Sequence, residues 1–138
     1  MPRAKIRHIA ISTDDPERTA AWYKEVFGLE EVGKSPVGVY LTDGTINFAV
    51  LRIPSETNPG EPARGVHHFG FVVDDAEAIY TQLQDMGVKR LPDVAINSQY
   101  FEVKWEGPDG VCVDIGEHGW IGAKGLDDAV PAEIPAPA

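Results

Sequence analysis

Three side chains of metal-binding type, His8, His68 and Asp114, each interrupt a strand-like run on one side only. In Arg7-His8-Ile9-Ala10-Ile11-Ser12 the isoleucines share one face with Arg7, and His8, Ala10 and Ser12 share the other, because strand side chains alternate. In the run from His68, Phe69, Phe71 and Val73 take the packing side, which leaves His68, Gly70 and Val72 opposite. Val111, Val113 and Ile115 alternate in the same way with Cys112 and Asp114. Small residues two places after each histidine leave space beside the imidazoles. A buried carboxylate without a partner is costly and tends to neutralise. Two neutral imidazoles and a divalent cation remove that cost. Two histidines and one carboxylate, with positions left open, form the donor set of a catalytic divalent metal. A lone strand histidine is ordinarily structural, so the reading depends on the three together.

The elements that must position them repeat once. Ile6 to Asp15 aligns without gaps on Val66 to Asp75, each a strand running into an acidic helix start. Asp15 caps the first helix, with Pro16 at its first position and Glu17 at the positive end of the dipole. Asp74 or Asp75 does the same before Ala76, so the two Asp-Asp pairs read as caps and not as catalytic dyads. Ala20, Trp22, Tyr23, Val26 and Phe27 form one apolar stripe, and Ala76, Ile79, Tyr80, Leu83 and Met86 another. Gly28 and Gly87 end the helices. Strands follow at 31–32, 38–42 and 46–53, and again at 89–91, 100–105 and 111–115, with Asp43-Gly44 and Pro108-Asp109-Gly110 as turns. The expected fold is α+β, two βαβββ modules forming a curved mixed sheet around a cavity. One domain spans 1–125, with modules at about 5–54 and 65–120, a linker at 55–64 and an extended or disordered tail at 126–138.

Composition sets the limits. The 138 residues suit one domain, and 43% hydrophobic content is ordinary for a soluble globular protein. No apolar run approaches the ~20 residues that cross a bilayer, and no signal core follows the N-terminal charges. The lone Cys112 has no intramolecular disulfide partner. A cytoplasmic protein is expected. A net charge of -10 argues against nucleic-acid and anionic-membrane partners, which recruit basic patches. A small-molecule substrate is the expected partner.

Further polar groups have two readings each. Phe101, Val103 and Trp105 take the core side of their strand, so Tyr100, Glu102 and Lys104 face either pocket or water. Glu102 is a general base in the first case and a solvated residue in the second. His118, in Gly116-Glu117-His118-Gly119-Trp120, reaches the pocket rim or is a solvated loop residue. Cys112 is a pocket thiol or a small buried apolar group. His67 points away from the metal face.

From about Lys5 to Trp120 the sequence resembles the vicinal oxygen chelate superfamily of glyoxalases, epimerases, fosfomycin-resistance transferases, extradiol dioxygenases and bleomycin-binding proteins. The paired His-apolar-small-apolar starts and Gly107-Pro108-Asp109-Gly110 before Asp114 carry the likeness. It implies a divalent ion (Fe, Mn, Zn, Ni or Co) on His8, His68 and Asp114, and a homodimer. Asp114 stands where the family usually has Glu, and Gly107 where it has Asp. Glyoxalases and epimerases use a further ligand whose match is Phe48, which cannot bind metal; Asn47 is expected on the other face. The expected function is a glyoxalase-like lyase or isomerase for a substrate with vicinal oxygens. An Fe(II)-dependent extradiol-type dioxygenase is the alternative, although most are longer chains. A non-catalytic sequestering module is a third, disfavoured by the histidines. Lys89, Arg90 and Lys104 are few bases to grip a phosphonate.

Overall fold

The structure, a computed structural model, describes residues 3–53, 64–95 and 101–127. The expected linker lies almost wholly outside these residues, as does the tail beyond Asp127 and the strand start at Tyr100. The first module contains β1 (Ala4–Thr13), α1 (Pro16–Phe27), β2 (Glu30–Ser35), β3 (Gly38–Thr42) and β4 (Asn47–Arg52). The second contains β5 (Gly65–Val73), α2 (Ala76–Asp85), β6 (Val94–Ala95), β7 (Phe101–Glu106) and β8 (Cys112–Gly116). Together they make an eight-stranded mixed sheet in the order β2-β3-β4-β1-β5-β8-β7-β6. The α+β fold with doubled βαβββ modules is therefore present. β1 is parallel to β4 and β5 to β8, while β1 and β5 join the modules antiparallel.

Both helices begin at an aspartate. Asp15 accepts a hydrogen bond from the Arg18 amide at 3.2 Å, and Asp75 one from the Ala78 amide at 3.0 Å. Gly28 closes α1 with φ 69°, a left-handed conformation that glycine adopts without strain. The first core packs Ala20 and Tyr23 of α1 against Ile11, Val39, Leu41 and Val50. The second packs Ile79, Tyr80 and Leu83 against Phe71, Val73, Trp105 and Ile115.

Some expectations need correction. The α1 stripe is buried on one side only: Trp22, Val26 and Phe27 are exposed, because the sheet reaches only the Ala20–Tyr23 side. Met86 is exposed at the end of α2. The strand expected at 89–91 is reduced to a single bridge between Arg90 and Trp105. Pro92 offers no amide to continue it, and pairing resumes in β6. After Trp120 the chain returns across the first module, where the Ile121 and Gly122 carbonyls accept from Asn47 and Thr42. Folded contacts extend to Leu126 and to Asp127, which accepts from Arg3.

The cap assignment predicts Asp15→Ala and Asp75→Ala each to lower stability by about 1 kcal/mol, with metal uptake unchanged. Chemical denaturation alongside elemental analysis checks this. Loss of metal in either variant would show that these aspartates do more than cap their helices.

Candidate functional site

The antiparallel register of β1 and β5 sets His8 opposite Gly70 and Ala10 opposite His68. Each histidine thus lies across from the small residue that follows its repeat mate, and the two rings turn toward each other. Their Nε2 atoms are 3.1 Å apart. β8 runs beside β5 with Asp114 next to Gly70, which brings Asp114 Oδ2 to 3.2 Å from His68 Nε2 and 3.6 Å from His8 Nε2. The three residues expected to gather do so, with candidate ligand atoms within 4.8 Å of one another. They are almost sealed from solvent: His8 is 4% exposed, His68 0% and Asp114 1%.

The space foreseen beside the imidazoles is filled. Trp120 stacks on His8 with ring centroids 4.7 Å apart and planes 3° off parallel. A Cβ on Gly70 would fall 2.6 Å from the Trp120 ring and 2.7 Å from His8 Cβ, so only glycine admits this packing.

Asn47, expected on the far face, is on the site face. The parallel register places it beside His8, and Phe48 instead packs against Tyr23 beneath α1. The Asn47 amide donates to the Ile121 carbonyl at 2.8 Å, so its Oδ1 is the acceptor for His8 Nδ1–H at 2.7 Å. That bond leaves His8 Nε2 without a proton and its lone pair directed at His68 and Asp114. His67, assigned to the opposite side, nevertheless brings its Nδ1 to 2.8 Å from His68 Nδ1. Both Nδ1 atoms are therefore engaged from outside, the usual support for imidazoles that bind metal through Nε2.

Asp114 Oδ2 is buried and makes no hydrogen bond, while Oδ1 accepts from Lys104 Nζ at 2.5 Å. A deprotonated His8 nitrogen, a second imidazole and an orphaned carboxylate oxygen converging on one point fit a divalent ion of the expected kind. Burial drives the His8 pKa down to about 3 against the pull of Asp114, so the ring is neutral, as a ligand must be. Burial would raise Asp114, but the His68 ring and the Lys104 ammonium outweigh it and hold the carboxyl well below the usual range.

Lys104 is one of the residues whose alternation fits either pocket or water. It stands opposite Asp114 across β7 and β8 and is fully buried. Glu102, two places earlier on the same face, lies 3.4 Å from Lys104 Nζ. Burial and the charge of Asp114 push Glu102 up to about 7, against the opposing ammonium. Its charge also contributes to the raised pKa of Tyr40 on β3, after the larger effect of burial. β3 and β7 are separated by four strands in the sheet order. His118 sits on the exposed loop after β8 and, like Glu102, is not part of the three-residue cluster. Burial raises Cys112 to about 11, which keeps it a thiol at neutral pH.

The glyoxalase/bleomycin resistance protein/dioxygenase superfamily model matches residues 5–115. The chain belongs to that superfamily. No curated protein matches it. Solved structures similar to this superfamily member include a methylmalonyl-CoA epimerase from Streptomyces coelicolor, at 22% identity and TM-score 0.64 over 82% of this chain and 96% of that one. The 2,3-dioxygenase LapB from a Pseudomonas species matches at 20% identity and TM-score 0.66, over 88% of this chain and 43% of that one. The Mn(II)-bound glyoxalase from Novosphingobium aromaticivorans matches at 17% identity and TM-score 0.65, over 99% and 43%. At these identities the likeness is one of fold.

The depressed His8 pKa has a consequence for stability. An unfolded histidine takes up a proton near pH ~6.5, whereas folded His8 refuses it down to about 3. The unfolded chain binds more protons in that window, so stability is complete above it and falls as pH falls through it. Metal-free protein should melt at progressively lower temperature from about pH 6.5 to about pH 4.5, and His8→Gln should flatten the decline. Parallel melting curves for the two proteins would contradict this account of His8.

Proposed function

We propose that this protein is a divalent-metal-dependent lyase or isomerase of the glyoxalase kind, acting on a small substrate that chelates the metal through vicinal oxygens. The observation that carries this reading is the convergence of buried His8, His68 and Asp114, with Glu102 3.4 Å from the Lys104 ammonium that binds Asp114. His8, His68 and Asp114 hold the ion, which would be Fe, Mn, Zn, Ni or Co. When bound, it supplies Lewis acidity to a chelated carbonyl. Glu102 takes a proton from the carbon beside that carbonyl and returns it. In the metal-free protein burial and the Asp114 charge push its pKa up to about 7, in the direction that suits a group that both gives and takes a proton. His118 is the second candidate base, at the exposed edge. Trp120 over His8 keeps water from the ring and fixes its plane. The likeness in fold to proteins described as an epimerase and a Mn(II)-bound glyoxalase supports the reading.

A second reading rests on one specific observation. The Asn47 amide is spent on His8 and the Ile121 carbonyl, so the donor set near the rings is two histidines and one carboxylate. That is also the facial set of Fe(II) oxygenases. Metal-defined samples separate the two. His8→Ala, His68→Ala and Asp114→Ala should each lose stoichiometric metal while remaining folded by circular dichroism. The wild type should catalyse deuterium exchange beside a chelated carbonyl without consuming oxygen, and Glu102→Gln should slow it by about 10²–10⁴-fold with metal content unchanged. Oxygen uptake with a catechol by the ferrous form, abolished by zinc, would move the assignment to the dioxygenase. Silence in both assays, with a ligand held tightly by metal-free protein, would move it to a sequestering module.

We also propose a homodimer acting in the cytoplasm. Exposed Trp22, Val26 and Phe27 on α1 support association by offering apolar surface to a second copy. Among the described residues no helix is long and apolar enough to cross a membrane. Light scattering should return twice the chain mass at micromolar concentration. A monomer mass throughout would exclude the dimer.

A further inference from the structure

The proposed proton transfer leaves one buried charge without a task. Lys104 is 0% exposed, with Nζ at 2.5 Å from Asp114 Oδ1 and 3.4 Å from Glu102 Oε2. Its two carboxylate neighbours hold it as an ammonium. Asp114 Oδ1 is thereby occupied, and only Oδ2 faces the histidines. One carboxylate charge must then serve two cations, the ammonium and the metal.

We propose that Lys104 makes the metal-loaded site a receptor for an anionic chelator. The substrate would be a 2-hydroxy or 2-oxo carboxylate in chemical class, and not a neutral hydroxy ketone or dione. This rests on the metal reading above. The ligating histidines are neutral. Two positive charges from the metal and one from Lys104 stand against one negative charge from Asp114 and at most one from Glu102. At least one positive charge remains, whichever state Glu102 is in. In a site this closed to water, uncompensated charge is costly, and an anionic oxygen donor on the metal removes it. With a neutral side chain at position 104 the same groups would balance to zero when Glu102 is ionised, and a neutral chelator would be accommodated. The ammonium also repels the incoming metal, since both draw on one carboxylate.

The test titrates Mn(II) into the full chain, reading free Mn(II) by electron paramagnetic resonance. Calorimetry on the loaded protein then compares L-lactate with acetoin, which share a 2-hydroxy carbonyl skeleton but differ in charge. Wild type should bind lactate at least about tenfold more tightly than acetoin. In Lys104→Gln the amide can still donate to Asp114 while the charge is gone. That variant should bind Mn(II) more tightly than wild type, and its lactate preference should fall about tenfold or more. Lys104→Arg, which keeps the charge, should keep the preference. A folded Lys104→Gln that binds Mn(II) more weakly, or retains the full preference, would overturn the proposal. So would wild type that fails to prefer lactate, a result that needs no variant at all. Wild type that takes up no divalent metal would remove the metal reading itself, and this inference with it.

Discussion

The site depends on the antiparallel pairing of β1 with β5. Each strand carries a histidine followed two residues later by a small residue, and antiparallel register exchanges these partners across the seam. Histidine meets glycine or alanine from both sides, so two imidazoles fit into one layer of the sheet and meet at their Nε2 atoms. A slip of one residue would turn one histidine to the helix side. β8 then adds Asp114 beside β5, and β4 adds Asn47 beside β1, through the two parallel pairings that the repeat requires. One seam between modules therefore organises four site residues.

Around that seam His8 is held by neighbours whose own bonds leave little freedom. Ile121 orients Asn47, Asn47 orients His8, and Trp120 clamps the His8 ring from above, in space that exists because residue 70 has no Cβ. The strap from Trp120 to Asp127 is thus part of the site although it carries none of its donors. Such support holds ligand nitrogens in a fixed direction and tautomer before any ion arrives.

The electrostatics set Asp114, Glu102 and His8 to different charge states. Burial works against charge on each of them, but Asp114 has two imidazoles and an ammonium to offset it and stays ionised. Glu102 has only the shared ammonium, and a second carboxylate nearby, and is pushed up to about 7. His8, opposed by burial, stays neutral. Environments that drive neighbouring groups apart in this way are characteristic of acid–base sites.

Much of this was legible in the sequence because it is local or repeated. The alternation of Ile9 and Ile11 against His8, and of Val113 and Ile115 against Asp114, assigned each donor to a face before any strand was paired. The caps at Asp15 and Asp75 and the turn at Pro108-Asp109-Gly110 likewise depend on residues adjacent in the chain. What sequence did not disclose involves partners distant in the chain. Asn47 was assigned to the wrong face because a parallel register with β1 leaves no mark on local pattern, and Phe48 held the position counted from the turn. Lys104 and Glu102 alternate correctly for either pocket or water, and only the pairing of β7 with β8, which sets Lys104 opposite Asp114, decided between them. Trp120 lies in a stretch with no periodicity, so its stacking on His8 follows from the return of the chain across the first module. Side-chain type and spacing determined which residues can do chemistry; the tertiary structure decided which of them meet, because meeting is a property of strand pairing and register.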